Sequence, residues 1–180
     1  MVSAVLQART EARAVRVASA WAVLAEVLDP EVPALSVCDL GIVRDVLELG
    51  DGTLEIVLTP TYSGCPATEA IERNVLDAIE AAGLGPARAK LQRAPAWTTD
   101  WISEEGRRKL HEYGIAPPAH LAAAQAAATP IRFMRREAAL ACPRCGSKDT
   151  ERLSAFGSTA CKALYRCRAC REPFEHFKPI

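Results

Sequence analysis

The sequence has no apolar run that approaches the ~20 residues a membrane-spanning helix requires. The stretch from Met1 to Glu11 also has none of the apolar character of a secretory signal. Formal net charge is zero, with 22 basic and 22 acidic residues, so total charge indicates no class of partner. We therefore expect a cytoplasmic protein without membrane contact.

Patterns typical of oxidative catalysis are missing as well. The chain contains no Glu-x-x-His pair of the kind that lines di-iron helical bundles. It has no Gly-x-Gly-x-x-Gly loop for a dinucleotide. Aromatic residues are only 6% of the chain, and few stand among the basic residues of the tail, which disfavours stacking on nucleic acid. We expect neither an enzyme nor a nucleic-acid binder.

Charge is distributed unevenly along the chain. Residues 1–130 contain 11 Lys or Arg and 17 Asp or Glu, whereas residues 131–180 contain 11 and 5. This asymmetry indicates two units, and the basic tail suits an acidic surface or a phosphate.

Four of the seven cysteines form two Cys-x-x-Cys pairs: Cys142 with Cys145, and Cys167 with Cys170. Reduced cysteines at this spacing predict one tetrahedral metal ion bound in a zinc-ribbon fold. Zinc is the preferred ion, and a rubredoxin-like iron is the alternative. Four thiolates close the coordination shell, so the ion would be structural and would supply folding energy. Cys161 and His176 are spare candidates: we interpret Cys161 as a packing residue or a surface thiol, and His176 as a tail residue.

The first part of the chain predicts an α+β domain in the order helix–strand–strand–helix–strand. The predicted elements are a helix at 4–28 with Leu28 inward, strands at 42–49 and 54–59 joined by Gly50-Asp51-Gly52, a helix from Pro66 to Ala82, and a strand at 87–93. We expect three regions: this domain at 1–94, a Trp-containing segment with an alanine-rich connector at 95–130, and the zinc ribbon at 131–180. Ala119 to Ala128 of the connector suggests a helix.

Cys65 stands apart from the ribbon cysteines. It lies between Gly64 and Pro66 at the start of a predicted helix, where the helix dipole favours a thiolate. A reactive or metal-accepting cysteine and a half-buried capping cysteine both fit this setting. Asp39, Thr61 and Ser63 lie near the same turns, either as turn residues or as parts of one polar site around Cys65.

Trp97 and Trp101 are four residues apart. They suit either anchoring of this segment onto the domain or an aromatic surface for docking a protein partner.

The segments Asp29-Pro-Glu-Val-Pro33, Asp39-Leu-Gly41 and Leu58-Thr-Pro-Thr-Tyr-Ser-Gly-Cys-Pro66 resemble the SufT-like family of iron–sulfur cluster assembly proteins over residues 15–95. The motif cysteine of that family corresponds to Cys65, and its Asp-Leu-Gly aspartate to Asp39. The resemblance implies handling of iron or a transient iron–sulfur cluster at Cys65.

Further segments resemble the PaaD (PaaJ) family, whose members are encoded with the bacterial phenylacetyl-CoA epoxidase. They are Trp97-Thr-Thr-Asp-Trp-Ile102, Tyr113-Gly-Ile-Ala-Pro-Pro118, Phe156-Gly-Ser-Thr-Ala-Cys-Lys-Ala163 and Glu172-Pro-Phe174. The resemblance implies an accessory role in aerobic phenylacetate degradation. The chain would help to assemble an iron–sulfur cluster in the epoxidase reductase, or to insert it there, because that reductase carries a plant-type [2Fe–2S] cluster. Other epoxidase subunits and a second copy of the chain are further expected partners.

One cysteine cannot hold a cluster by itself, so an adaptor subunit without cluster handling remains an alternative. A zinc-ribbon nucleic-acid binder and a catalytic epoxidase subunit fit the sequence less well.

Overall fold

The computed structural model describes residues 2–62, 64–119 and 140–180, and it divides the chain into two compact units, Met1–Trp97 and Thr98–Ile180. Both units combine helices with a sheet, which confirms the predicted α+β class. None of the helices in the described ranges is long and apolar enough to cross a membrane.

The first unit has the predicted order of elements. Helix α1 spans Val2–Leu24, strands β1 and β2 span Val43–Glu48 and Leu54–Leu58, helix α2 spans Thr68–Ala81, and strand β3 spans Ala87–Leu91. The sheet order is β1-β2-β3, with β1 antiparallel and β3 parallel to β2. The central strand β2 is buried along its whole length because it has a neighbour on each side.

Each helix of this unit buries one set of apolar side chains. Helix α2 buries Ile71, Val75 and Ile79, a stripe at helical spacing that faces the sheet side of the unit. Leu24 of α1 is fully buried, whereas Leu28 is 52% exposed, so the prediction that Leu28 faces inward is wrong. The α-helix ends at Leu24, and Leu28 instead forms a bridge to Ser36.

The second helix also begins later than predicted. Its first residue is Thr68 and its N-cap is Ala67, so Pro66 lies in the preceding turn and not in the first helical turn. The Thr68 hydroxyl donates to the Cys65 carbonyl at 2.9 Å, which fixes this turn. The helix ends at Ala81 and is followed by Gly83 with φ +65°, a left-handed conformation that glycine adopts without strain.

The second unit is built around a four-stranded sheet. A 3-10 turn at Thr99–Trp101 leads to helix α3 at Glu104–Tyr113, which is followed by the strands β4 at Ile115–Ala116, β5 at Thr150–Ser154, β6 at Lys162–Cys167 and β7 at Pro173–Phe177. The sheet order is β4-β7-β6-β5. Strand β4 therefore adds a residue pair from the Trp-containing segment to the ribbon.

Helix α3 has clear local signals at both ends. The Ser103 hydroxyl accepts the Gly106 N–H at 2.9 Å, and Gly114 closes the helix with φ +90°. The segment is also held to the end of the chain, because the Thr99 N–H donates to the Ile180 carbonyl at 3.1 Å. The stretch from Thr98 to Pro118 thus packs with the ribbon.

The domain boundaries expected from the sequence fall close to this division but differ in the middle. The contacts separate Trp97 from Thr98, within the expected segment 95–130. The expected boundary at 130 and the suggested helix from Ala119 to Ala128 lie outside the described residues, apart from Ala119 itself.

Candidate metal centre and thiol site

The four ribbon cysteines converge on one point. Their sulfur atoms all lie within 4.8 Å of one another. The Sγ atoms of Cys142 and Cys170 are 3.8 Å apart, and those of Cys145 and Cys167 are 3.6 Å apart. A tetrahedral ion with bonds of about 2.3 Å to sulfur holds neighbouring sulfurs about 3.8 Å apart. The donor set and its spacing therefore fit one zinc ion.

The two Cys-x-x-Cys turns have the same backbone design. In the first, the Cys142 N–H donates to the Ser147 carbonyl at 2.9 Å. In the second, the Cys167 N–H donates to the Glu172 carbonyl at 3.0 Å, five residues further on in both cases. Each turn is closed by a residue in the left-handed region, Gly146 with φ +74° and Arg171 with φ +67°.

Proton affinities in the cluster show why a cation belongs there. The Cys170 backbone N–H lowers the pKa of the Cys167 thiol to about 7. The backbone of Glu172 lowers the pKa of Cys170, but desolvation and the three neighbouring sulfurs outweigh it and raise that pKa to about 12. Four thiolates this close repel one another, and a divalent cation removes that repulsion.

The buried core of the ribbon lies directly against these ligands. Cys142 and Cys167 are packed with Ala116 of β4 and Phe174 of β7, with Leu140 and Tyr165 at the edge of the cluster. Two of the four cysteines therefore form part of the hydrophobic core, whereas Cys145 and Cys170 are exposed.

The two spare candidates have ordinary packing roles. Cys161 is buried, and its sulfur lies 3.0 Å from the Thr159 hydroxyl. The ring of His176 meets that of Tyr165 edge-on, and burial lowers the pKa of His176 to about 4, so it is neutral at pH 7. Burial favours the packing interpretation of Cys161 over the surface thiol, and His176 packs against Tyr165.

In the first unit, Cys65 lies beside a carboxylate. Its Sγ is 4.0 Å from Oε2 of Glu31, which is 34 residues earlier in the chain. Asp29 is buried, and its Oδ1 accepts the N–H groups of Glu31 at 2.9 Å and of Val32 at 2.7 Å. This turn fixes the backbone at Glu31, so that a thiol and a carboxylate are held side by side.

The expectation that the helix start favours a thiolate at Cys65 is wrong in its net effect. Burial raises the pKa of the Cys65 thiol above its ordinary value. The Ala67 N–H at the start of α2 does lower it, but the negative charges of Glu31 and Asp29 add to the rise. Without a cation, Cys65 is therefore a thiol at neutral pH.

The other predicted members of this site take different positions. Asp39 shares reciprocal hydrogen bonds with Ser36: Asp39 Oδ2 accepts the Ser36 N–H at 3.1 Å, and the Asp39 N–H donates to Ser36 Oγ at 3.0 Å. Thr61 is buried, and Ser63 lies outside the described residues. Thr59, at the end of β2, is buried with a hydroxyl that has no partner among the described groups. Asp39 thus has the turn role that was one of its two interpretations.

The two tryptophans belong to different units. Trp97 is only 4% exposed, and its indole N–H donates to the Leu40 carbonyl at 2.9 Å. This burial contradicts the prediction of Trp97 as a docking residue and supports the anchoring alternative. Trp101 is half-buried at the end of the 3-10 turn, so its prediction as a docking residue stays a prediction.

Glu31 is the site residue that the sequence patterns did not single out. In its segment, Asp-Pro-Glu-Val-Pro, prolines stand on both sides of the glutamate and indicate a turn, not a ligand. The same segment contributed to the family resemblance, which was the available signal. Its proximity to Cys65 depends on how α2 packs and is not visible in local spacing.

Fold and site together define a two-part class of protein. Residues 18–90 match the family described as iron–sulfur cluster assembly protein, and residues 127–178 match the PaaD zinc beta ribbon domain. A solved structure of a domain of unknown function from Bacillus anthracis shares the fold of the first unit, with a TM-score of 0.52 and 22% identity over 56% of this chain and 96% of that one.

Two curated relatives narrow the class. An Escherichia coli (strain K12) protein, provisionally named as a subunit of 1,2-phenylacetyl-CoA epoxidase, is 48% identical over 160 residues, which are 89% of this chain and 91% of that protein. An iron–sulfur protein maturation auxiliary factor of Porphyromonas gingivalis (strain ATCC BAA-308 / W83) is 34% identical over 88 residues, 48% of this chain and 83% of that protein. The chain belongs to the PaaD family of phenylacetyl-CoA epoxidase subunits.

Proposed function

We propose that this chain is an accessory subunit of a phenylacetyl-CoA epoxidase system and assists the assembly or insertion of the iron–sulfur cluster in the reductase of that enzyme. One observation carries the proposal: the thiol of Cys65 and the carboxylate of Glu31 lie 4.0 Å apart in the unit that matches the cluster-assembly family. In this interpretation iron is the cargo, and the chain is not the oxygenase.

The pair is spaced as ligands of a single ion would be. Metal bonds of about 2.3 Å to sulfur and about 2.0–2.2 Å to a carboxylate oxygen place the two donor atoms roughly 3.5 Å apart at a tetrahedral ion. A shift of about half an ångström would bring Cys65 and Glu31 to that separation. Ionisation of the Cys65 thiol would accompany binding, because a metal takes the thiolate and releases the proton.

Two protein ligands leave half of the positions on a tetrahedral ion open. Ligands from a partner protein could bind the iron at those open positions. The partner could then keep the iron when the two proteins separate, as transfer requires. The ribbon differs in this respect. Its proposed zinc ligands, Cys142, Cys145, Cys167 and Cys170, would close the shell and give the ion a structural role.

An adaptor subunit that handles no iron is the second candidate. The raised pKa of Cys65 favours it, because a protonated thiol is a poor metal ligand.

The cytoplasmic location and a homodimer stay predictions, and the mass of the purified protein in solution would test the dimer.

The deciding experiment is co-expression with the epoxidase components and measurement of the [2Fe–2S] content of the purified reductase. Cys65→Ala should lower that content strongly, and Glu31→Gln should lower it to a smaller extent. Cys38→Ala removes a half-buried thiol of the same unit and Glu26→Gln removes an exposed carboxylate, so both serve as matched controls.

Zinc content distinguishes a lost site from a lost fold. All four variants should retain one zinc per chain, since the ribbon ligands are untouched. A reductase that carries its full cluster alongside Cys65→Ala would refute cluster handling and leave the adaptor role.

A further inference from the structure

The two Cys-x-x-Cys turns differ at one structurally equivalent position. Gly146 follows Cys145 and has φ +74°, and Arg171 follows Cys170 and has φ +67°. Among the described residues, Arg171 is the only one other than glycine with a positive φ. The turn itself demands this conformation, because the same hydrogen bond across five residues closes both turns.

An arginine at this position carries backbone strain that a glycine would avoid. Residues that keep such strain cluster at functional sites, where the side chain has a use that outweighs the loss of stability. The strained position therefore directs attention to the Arg171 side chain.

That side chain lines a cleft of about 290 Å³ together with Arg166, Cys167 and Arg168. Arg166 and Arg168 are already paired, since both donate to the carboxylate of Glu151, Arg168 at 2.9 Å. In the part of the chain that the structure describes, no carboxylate lies within ion-pair distance of Arg171. Arg171 therefore has no carboxylate partner among the described residues, whereas Arg166 and Arg168 beside it are held in place by Glu151.

We propose that this arginine cleft is a docking site for a carboxylate-bearing, acidic segment of a protein partner. A guanidinium forms two parallel hydrogen bonds with a carboxylate, and neighbouring positive charge attracts an acidic chain to it. A nucleic acid fits less well, because none of the four residues that line the cleft is aromatic and a base would have no ring to stack on. The proposal adds to the function proposed above and does not depend on Cys65.

Nuclear magnetic resonance of the full zinc-loaded chain with an acetylated hexaglutamate peptide as probe tests the proposal. The peptide should shift the side-chain N–H signals of the cleft arginines, and salt should weaken the effect. Arg171→Gly should weaken peptide binding about 1.5- to fivefold, the range for one exposed ion pair. The same variant should raise the melting temperature by a few degrees, because glycine relieves the strain.

Two control variants isolate the effect. Arg152→Ala removes the same charge from β5, on the face opposite Glu151, and should leave peptide binding unchanged. Cys65→Ala should also leave it unchanged, which separates this proposal from the cluster-handling role.

Four results would overturn the proposal. The peptide could leave the arginine signals unmoved, or Arg171→Gly and Arg152→Ala could weaken binding equally. A single-stranded oligonucleotide of equal charge could also bind more tightly than the peptide in an Arg171-dependent way, which would identify a nucleic-acid site. If Arg171→Gly instead lowered the zinc content without changing peptide affinity, the arginine would serve the metal centre.

Discussion

Removal of zinc from the ribbon should unfold helix α3 as well as the metal site, although α3 contributes no ligand. The link is the packing of β4, which follows α3, against the metal ligands. Ala116 lies in one buried cluster with Cys142 and Cys167, and β4 pairs with β7. The preceding turn is tied to the same sheet through the Thr99 N–H and the Ile180 carbonyl.

The magnitudes favour unfolding of the whole second unit. For the second unit, Thr98–Ile180, roughly 0.05–0.15 kcal/mol per residue gives a free energy of unfolding of about 4–12 kcal/mol. Structural zinc contributes about 10–16 kcal/mol in small metal-folded domains. Loss of the ion therefore removes about as much free energy as the unit holds, or more. Helix α3 has ten residues, fewer than the ~12–15 that an isolated helix needs in water, so it cannot persist alone.

Hydrogen exchange with peptide-level mass spectrometry measures this directly. Amides of Glu104–Tyr113 should be protected in the zinc-loaded chain and should exchange rapidly after chelation, with zinc loss verified by metal analysis. Strand β2 of the first unit serves as the internal control and should keep its protection. Persistent protection of α3 in zinc-free protein would refute the reasoning and show that the segment folds without the ribbon.

Three further predictions concern stability. Trp97→Phe leaves the buried Leu40 carbonyl without its indole donor and should lower the free energy of unfolding of the first unit by about 1–3 kcal/mol in urea titrations; an unchanged midpoint would contradict that role. Ser103→Ala removes the N-cap acceptor of α3 and should cost about 1 kcal/mol, whereas Ser103→Asp should retain most of the stability. Hydrogen bonds from Lys90 and Arg88 lower the pKa of Glu55. The ionised carboxylate therefore stabilises the fold at pH values above its unfolded pKa of about 4.3, and this stabilisation is lost as the pH falls through the lower folded pKa. Glu55→Gln should therefore reduce the dependence of stability on pH between about 3 and 5, and identical pH profiles for both proteins would refute the assignment.

Local signals account for much of what the sequence predicted correctly. The hairpin at Gly50-Asp51-Gly52 depends on a few neighbouring residues with special backbone or hydrogen-bonding properties. The pairing of the ribbon cysteines belongs to the same kind of signal, because a Cys-x-x-Cys turn presents two sulfurs together whatever surrounds it. Only their convergence into one cluster required the fold.

The sequence by itself therefore determined the α+β order, the two units and the set of ribbon cysteines. Only the tertiary structure decided that Glu31 lies beside Cys65 and that the buried Trp97 donates a hydrogen bond to the Leu40 carbonyl. It also decided that the stretch from Thr98 to Pro118 packs with the ribbon. These facts join residues tens of positions apart, and packing across a core selects such pairs without leaving a periodic pattern in the chain. The raised pKa of Cys65 has the same origin, because burial and distant carboxylates outweigh the local effect of the helix start.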